Sequence, residues 1–221
     1  VLVTFTLSHH KRDKLETVLN ALLAAYRQLK SGRAWLEFEH KYNVVGSVRG
    51  LEVTYGDNAW HPHIHTLFFF RRGVSLEIEP VLKTRWNEAL KKQKRGASWA
   101  RGVTVQFANA DIAAYVSKLG ADDGRAWNVE HEITKSGAKR GKTKSGKTPT
   151  QLLAEYAVTN SKSAGARWKA YAETFKGKRQ LVWSRGLRNA LGVGSEMTDE
   201  EIAGRVDESA VLLASLSLAQ C

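Results

Sequence analysis

Apolar residues in this chain follow two spacings, and the switches between them mark the elements. Residues 1–7 form a branched, apolar run that predicts a strand, ended by Ser8-His9-His10. From Leu15 the spacing turns helical, with Leu15, Val18, Leu19, Leu22, Leu23, Tyr26 and Leu29 on one face, Asp13 as the expected cap and Gly32 as the stop. Residues 34–42 predict a short second helix with Trp35 and Phe38 turned inward. Residues 47–55 and 60–70 are strand patterns around the turn-forming stretch Gly56-Asp57-Asn58-Ala59, which predicts a hairpin. Residues 78–92 return to helical spacing through Val81, Leu82, Trp86 and Leu90, and residues 102–107 alternate as a strand. Asn109 can cap one more helix, ending at Gly120.

The order is strand, helix, strand, strand, helix, strand, helix. It predicts an α+β fold of the ferredoxin-like, split βαβ kind: an antiparallel sheet with helices packed on one face. Residues 133–154 contain no acid, and Lys135, Lys139, Arg140, Lys142, Lys144 and Lys147 are spaced there by Gly, Ser and Thr. A basic loop or linker over residues 121–150 follows. Beyond it, residues 151–158 and 164–175 read as helices, and Thr198-Asp199-Glu200-Glu201 as a capping box. The expected organisation is a core over residues 1–120, the basic loop, and a mainly helical C-terminal extension over 151–221 that packs on the core and aids nucleic-acid binding.

The hairpin carries the first candidate chemistry. His61, His63 and His65 stand at alternate positions, so a strand turns them to one face, with Pro62 suited to a strand start or edge. Pairing across residues 56–59 sets Tyr55 opposite Trp60 and Glu52 opposite His63. Glu52, His63 and His65 then form a carboxylate and two imidazoles able to hold a divalent cation with open positions. Alternate histidines also occur simply as a polar strand face.

The second candidate lies on the helix expected after Asn109. Asp111, Tyr115 and Lys118 fall at i, i+4 and i+7, on one face. A carboxylate one turn before a phenol can take its proton, and an ammonium one turn after can favour phenolate and neutralise a phosphate. A half-buried tyrosine beside two solvated charges has the same spacing. Tyr26, Tyr42, Tyr55, Tyr156 and Tyr171 lack both partners.

Charge narrows the partner. The 221 residues carry a formal net charge of +12 and a pI near 9.9, which points to a polyanion. Lys178, Arg179, Trp183 and Arg185 in the basic, aromatic stretch near residue 180 join Lys139, Arg140, Lys142, Lys144 and Lys147 as candidate DNA contacts. Trp99, Trp168 and Trp183 have a cationic neighbour and could stack on bases, whereas Trp35 and Trp86 read as core. The one cysteine, Cys221, rules out an internal disulfide and suits a reducing interior. No stretch predicts a membrane span or a signal peptide. The abrupt ends suggest a piece of a longer protein.

Thr4-Phe5-Thr6-Leu7-Ser8, then His61-Pro62-His63-Ile64-His65-Thr66-Leu67, then Tyr115-Val116-Ser117-Lys118 follow the order of the three motifs of HUH endonucleases. The chain resembles the single-tyrosine rolling-circle replication initiators (Rep proteins) of small bacterial plasmids over roughly residues 1–190, with further likeness at Glu52-Val53-Thr54 and residues 178–184. The resemblance implies a bacterial cytoplasmic enzyme that nicks one strand in a single-stranded loop of a plasmid double-strand origin. It implies His63, His65 and Glu52 as ligands of Mg²⁺ or Mn²⁺, with His61 supporting them. It implies Tyr115 as the nucleophile that forms a 5′-phosphotyrosine link and frees a 3′-OH, Lys118 on the phosphate, and Asp111 as the base at termination, where family members often carry Glu. Partners would be the origin loop with its flanking duplex, and a host helicase and polymerase, with no membrane. An HUH transposase-like nuclease and a non-catalytic nucleic-acid-binding domain on a ferredoxin-like sheet are the alternatives; conjugative relaxases place the tyrosine before the histidines.

Overall fold

A computed structural model describes residues 1–73, 77–97, 99–107 and 146–194. In chain order they form β1 (Leu2–Phe5), α1 (Leu15–Leu29), α2 (Arg33–Lys41), β2 (Val44–Gly56), β3 (Ala59–Phe70), α3 (Ile78–Lys92), β4 (Val103–Gln106), α4 (Pro149–Thr159), α5 (Lys162–Phe175), β5 (Leu181–Trp183) and α6 (Leu187–Ala190). The fold is α+β: a five-stranded antiparallel sheet in the order β4-β1-β3-β2-β5, with helices packed on it and further helices in the C-terminal part.

β3 is the central strand, which explains its run of bulky residues. Ile64 and Phe68 join Val3, Phe5, Leu51 and Val53 under α1 and α3, while Leu67 and Phe69 pack with Leu2, Val48 and Leu187 on the opposite face. A strand buried on both sides has no use for the polar half of an alternating pattern. Trp86 anchors α3 by donating its ring N–H to the Thr6 carbonyl at 2.7 Å. Tyr26 on α1 shares a 3.0 Å hydrogen bond with Thr66, which lets a polar residue sit in the middle of β3.

The hairpin register agrees with that expected from the sequence: Tyr55 faces Trp60 and Glu52 faces His63. The turn is tighter, since Gly56 and Ala59 are themselves paired and Asp57-Asn58 alone form it. Ala59 takes a positive φ of 64° to close it. Pro62 is tolerated in β3 because of where its missing N–H would point. The flanking odd residues of β2 aim their N–H groups away from β3, Tyr55 to Lys147 and Leu51 to Gln180. Pro62, paired with Val53 in the same phase, therefore owes nothing to β2, and β1 reaches only as far as Ile64.

Other expectations need correction. Asp13 does not cap α1: the N-cap is Lys14, without a side-chain bond, and Asp13 instead accepts from the His10 N–H and from Arg95 at 2.7 Å. Gly32 is the N-cap of α2 rather than the end of α1. The stretch near residue 180 contains a strand: β5 pairs with β2, and Ser184 donates its N–H to the Ser47 carbonyl, so the outer edge of β2 is covered. α6, in the C-terminal part, seats Leu187 on the side of the sheet opposite α1.

Gly46 makes that seat possible. A Cβ there would stand 2.5 Å from Ser184 Oγ and 3.0 Å from Leu187. Gly46→Ala is expected to destabilise the chain by about 1–3 kcal/mol through overpacking, read as a drop in thermal midpoint. An unchanged midpoint would mean that α6 yields at no cost.

Candidate metal centre

The period of two along β2 and β3 separates the two sides of the hairpin. Leu51, Val53 and Ile64 point into the core beneath α1. Their neighbours Glu52, His63 and His65 point the other way and converge. Glu52 Oε2 lies 3.2 Å from His63 Nε2 and 3.2 Å from His65 Nε2, and the three ligand atoms fall within 4.8 Å of one another. Glu52 and His65 are each 6% exposed.

Each imidazole is held from behind. His63 Nδ1 lies 3.3 Å from the His61 carbonyl, which can accept a proton held there. With the proton on Nδ1, a neutral imidazole aims the lone pair of Nε2 at the Glu52 carboxylate. His65 Nδ1 lies 2.9 Å from Thr4 Oγ1, which can hold its proton in the same way. Thr4 reaches it because β1 pairs Thr4 with His65. Lone pairs facing a carboxylate at 3.2 Å repel unless a proton or a cation lies between them, so this donor set fits a divalent cation. One carboxylate oxygen with two imidazoles is a mixed donor set, softer than the all-oxygen surroundings that hard cations prefer.

His61 stands beside the group rather than in it. Its Nδ1 is 3.0 Å from His9 Nε2 and its ring is 5.5 Å from that of His63. Burial, then repulsion from His63 and His9, pushes its pKa down to about 4. Burial lowers His9 as well. Two neutral rings can share one hydrogen bond, and this one ties the loop after β1 to the hairpin.

Sequence spacing assigns no role to Thr4 or His9. Thr4 lies in the first of the three motifs, but its contact depends on pairing between strands about sixty residues apart. Nothing local marks His9.

Asp111, Tyr115 and Lys118, and Lys139, Arg140, Lys142 and Lys144, lie outside the described residues. Lys147 bonds Glu155 at 2.6 Å, and its main chain pairs with Tyr55. Trp183 is half-buried, and the Arg188 guanidinium covers its ring at 4.7 Å. Arg179 and Arg185 are exposed, and Lys178 is half-buried. Trp35 and Trp86 are core residues, Trp168 is half-buried beside Tyr171, and Trp99 is 56% exposed. No helix among the described residues is long and apolar enough to cross a membrane.

An antiparallel α+β sheet carrying a Glu-His-His group describes a class of candidate metal-binding proteins. The chain is 26% identical to "Protein rep" of Streptomyces lividans, over an alignment covering 90% of this chain and 57% of that protein. It is 34% identical to "Neomycin resistance protein" of Streptomyces cyanogenus over 30% of this chain and 21% of that protein. The chain thus spans little more than half the length of the first relative and about a fifth of the second. No protein-family model matches the chain, and no solved structure does.

Proposed function

We propose that this chain is the strand-nicking part of a plasmid rolling-circle replication initiator of the HUH type, built on a ferredoxin-like sheet. The observation that carries this reading is the convergence of Glu52, His63 and His65 in a chain similar over 90% of its length to a protein named rep. The net charge of +12 supports a polyanionic substrate. The motif order in the sequence supports tyrosine chemistry.

Glu52, His63 and His65 would hold a divalent cation, Mn²⁺ or Mg²⁺. Bound there, it would supply Lewis acidity to the non-bridging oxygens of a phosphodiester. The chain's own residues supply the rest. The phenolic oxygen of Tyr115 attacks the phosphorus and gives its proton to a nearby base or solvent, while the 3′ oxygen leaves and takes up a proton from solvent. The products are a 5′-phosphotyrosine link and a free 3′-OH. Lys118 offsets charge on the phosphate. Asp111 later takes a proton from the water or strand end that releases the protein. The partners in this reading are the origin loop and its flanking duplex, with a host helicase and polymerase, in the bacterial cytoplasm.

The test is direct. Labelled single-stranded origin-like DNA is incubated with the protein and Mn²⁺, and a covalent adduct is sought on a denaturing gel. Adduct formation that EDTA abolishes supports the reading. Tight DNA binding with no adduct under any metal would leave a non-catalytic nucleic-acid-binding domain, and adducts formed on transposon ends but not on origins would favour a transposase-like nuclease.

The lysines of residues 135–147 are expected to add non-specific affinity. Neutralising them should flatten the dependence of binding on salt, by roughly 0.7–0.9 in the log–log slope for each phosphate no longer neutralised. An unchanged slope would make this segment a bystander in DNA binding.

A further inference from the structure

A second feature lies on the other side of the hairpin tip. A groove of about 720 Å³ runs between the loop before α1, the Tyr55–Trp60 pair and one face of α5. The groove face of α5 presents Ser163, Ala166, Ala170 and Thr174, small residues at helical spacing that leave the channel open. Its rims carry Lys11, Arg12, Lys14, Arg167, Lys176 and Lys178 against Asp13, Glu16 and Glu173. Asp13 is already bound to Arg95 at 2.7 Å. Glu173 faces Lys169 at 3.8 Å.

Among the described residues, no carboxylate forms an ion pair with Lys11, Arg12, Lys14, Lys176 or Lys178. Arg167 lies over the Tyr55 ring at 4.3 Å. That contact occupies the aromatic face and holds the guanidinium at the wall. Such a groove offers charge to a backbone and no free ring to a base. It is joined to the metal centre by one short loop: His9 touches His61 beside the Glu-His-His group, and Lys11 to Lys14 follow directly.

We propose that this groove binds the sugar-phosphate backbone of DNA next to the cleavage point. The proposal rests on the nicking reading for the identity of the polyanion. The contacts are sequence-independent and set the path of the DNA past the hairpin tip. Lys11, Arg12, Lys14, Arg167 and Lys176 are thereby added to the DNA-contacting residues.

The test measures binding of labelled single-stranded and duplex origin DNA by fluorescence anisotropy, in EDTA, across a salt series. Lys11→Gln/Lys14→Gln/Lys176→Gln is compared with Arg27→Gln/Arg33→Gln/Lys41→Gln, which removes the same formal charge from the last turn of α1 and the two ends of α2, outside the groove lining. The groove variant should weaken binding about 10- to 100-fold at low salt and lower the log–log salt slope by about 2. The control should retain most of the wild-type slope. Weaker binding of single strands, duplex or both supports the proposal and identifies which form lies in the groove. Equal effects of the two triple variants would overturn it, because net charge alone would then explain binding.

Ala170→Glu guards against a misfolded triple variant. It puts a carboxylate on the groove face of α5 and should weaken binding in the same way, with an unchanged circular dichroism spectrum. Wild-type binding by this variant would also overturn the proposal. A wild-type protein that forms no adduct, with groove variants that bind DNA weakly, would sink the nicking reading and leave the groove. Nicking with groove variants that bind as wild type would do the reverse.

Discussion

His63→Ala, His65→Ala and Glu52→Gln should each cut Mn²⁺-dependent nicking by about a thousandfold or more, the scale of losing several kcal/mol of charge stabilisation at a phosphoryl centre. The three ligand atoms lie within 4.8 Å of one another, so removing one leaves two, and no further group of three or more metal-ligating side chains stands among the described residues to replace it. Origin binding measured in EDTA should survive, because affinity rests mainly on phosphate contacts elsewhere. Thr4→Val is the graded companion. It keeps the shape of the side chain but removes the hydroxyl 2.9 Å from His65 Nδ1, and should cost about 10- to 100-fold in metal affinity, read by calorimetric titration with Mn²⁺. If all three ligand variants lose DNA binding as fully as nicking, the group is structural and the metal reading fails.

Tyr115→Phe should eliminate both the nick and the covalent adduct while leaving origin binding intact, since it removes one oxygen and keeps the ring. No other tyrosine in the chain has an acid four residues before it and a lysine three after. Asp111→Ala leaves the phenol in place and should still nick and form the adduct. It should fail later, when water or a strand end must be activated to release the protein, because in the proposed helix Asp111 stands one turn from Tyr115. The expected signature is an adduct that accumulates and decays slowly on a denaturing gel. Loss of the first nick in Asp111→Ala would instead make Asp111 the direct partner of Tyr115. An adduct in Tyr115→Phe would overturn the choice of nucleophile.

The Glu-His-His group is legible in the sequence because a hairpin is a counting problem. Once the turn lies between Tyr55 and Trp60, every pair across it is set, and Glu52 must face His63 whether the loop is read as four residues or two. The long helices are legible for a similar reason. α3 spans Ile78–Lys92, the same bounds that the spacing of Leu82, Trp86 and Leu90 predicts, because a periodic apolar face must be buried somewhere.

The misses share the opposite cause. Asp13 is a good capping residue by type, yet it bonds the His10 N–H and an arginine 82 residues away. β5 is three residues long and shows no period; it is a strand because the outward N–H and C=O groups of β2 need partners.

Local spacing along the chain is therefore enough for the longer described elements, the hairpin and the carboxylate-imidazole set, since each depends on neighbours a few residues apart. Contacts between distant segments decided the rest: that Thr4 backs His65, that His9 leans on His61, that β5 closes the sheet edge, and that the basic loop before α1 meets α5 across a groove. These pairings depend on which strands lie side by side and which helix faces meet, and residue spacing along one segment carries no record of either.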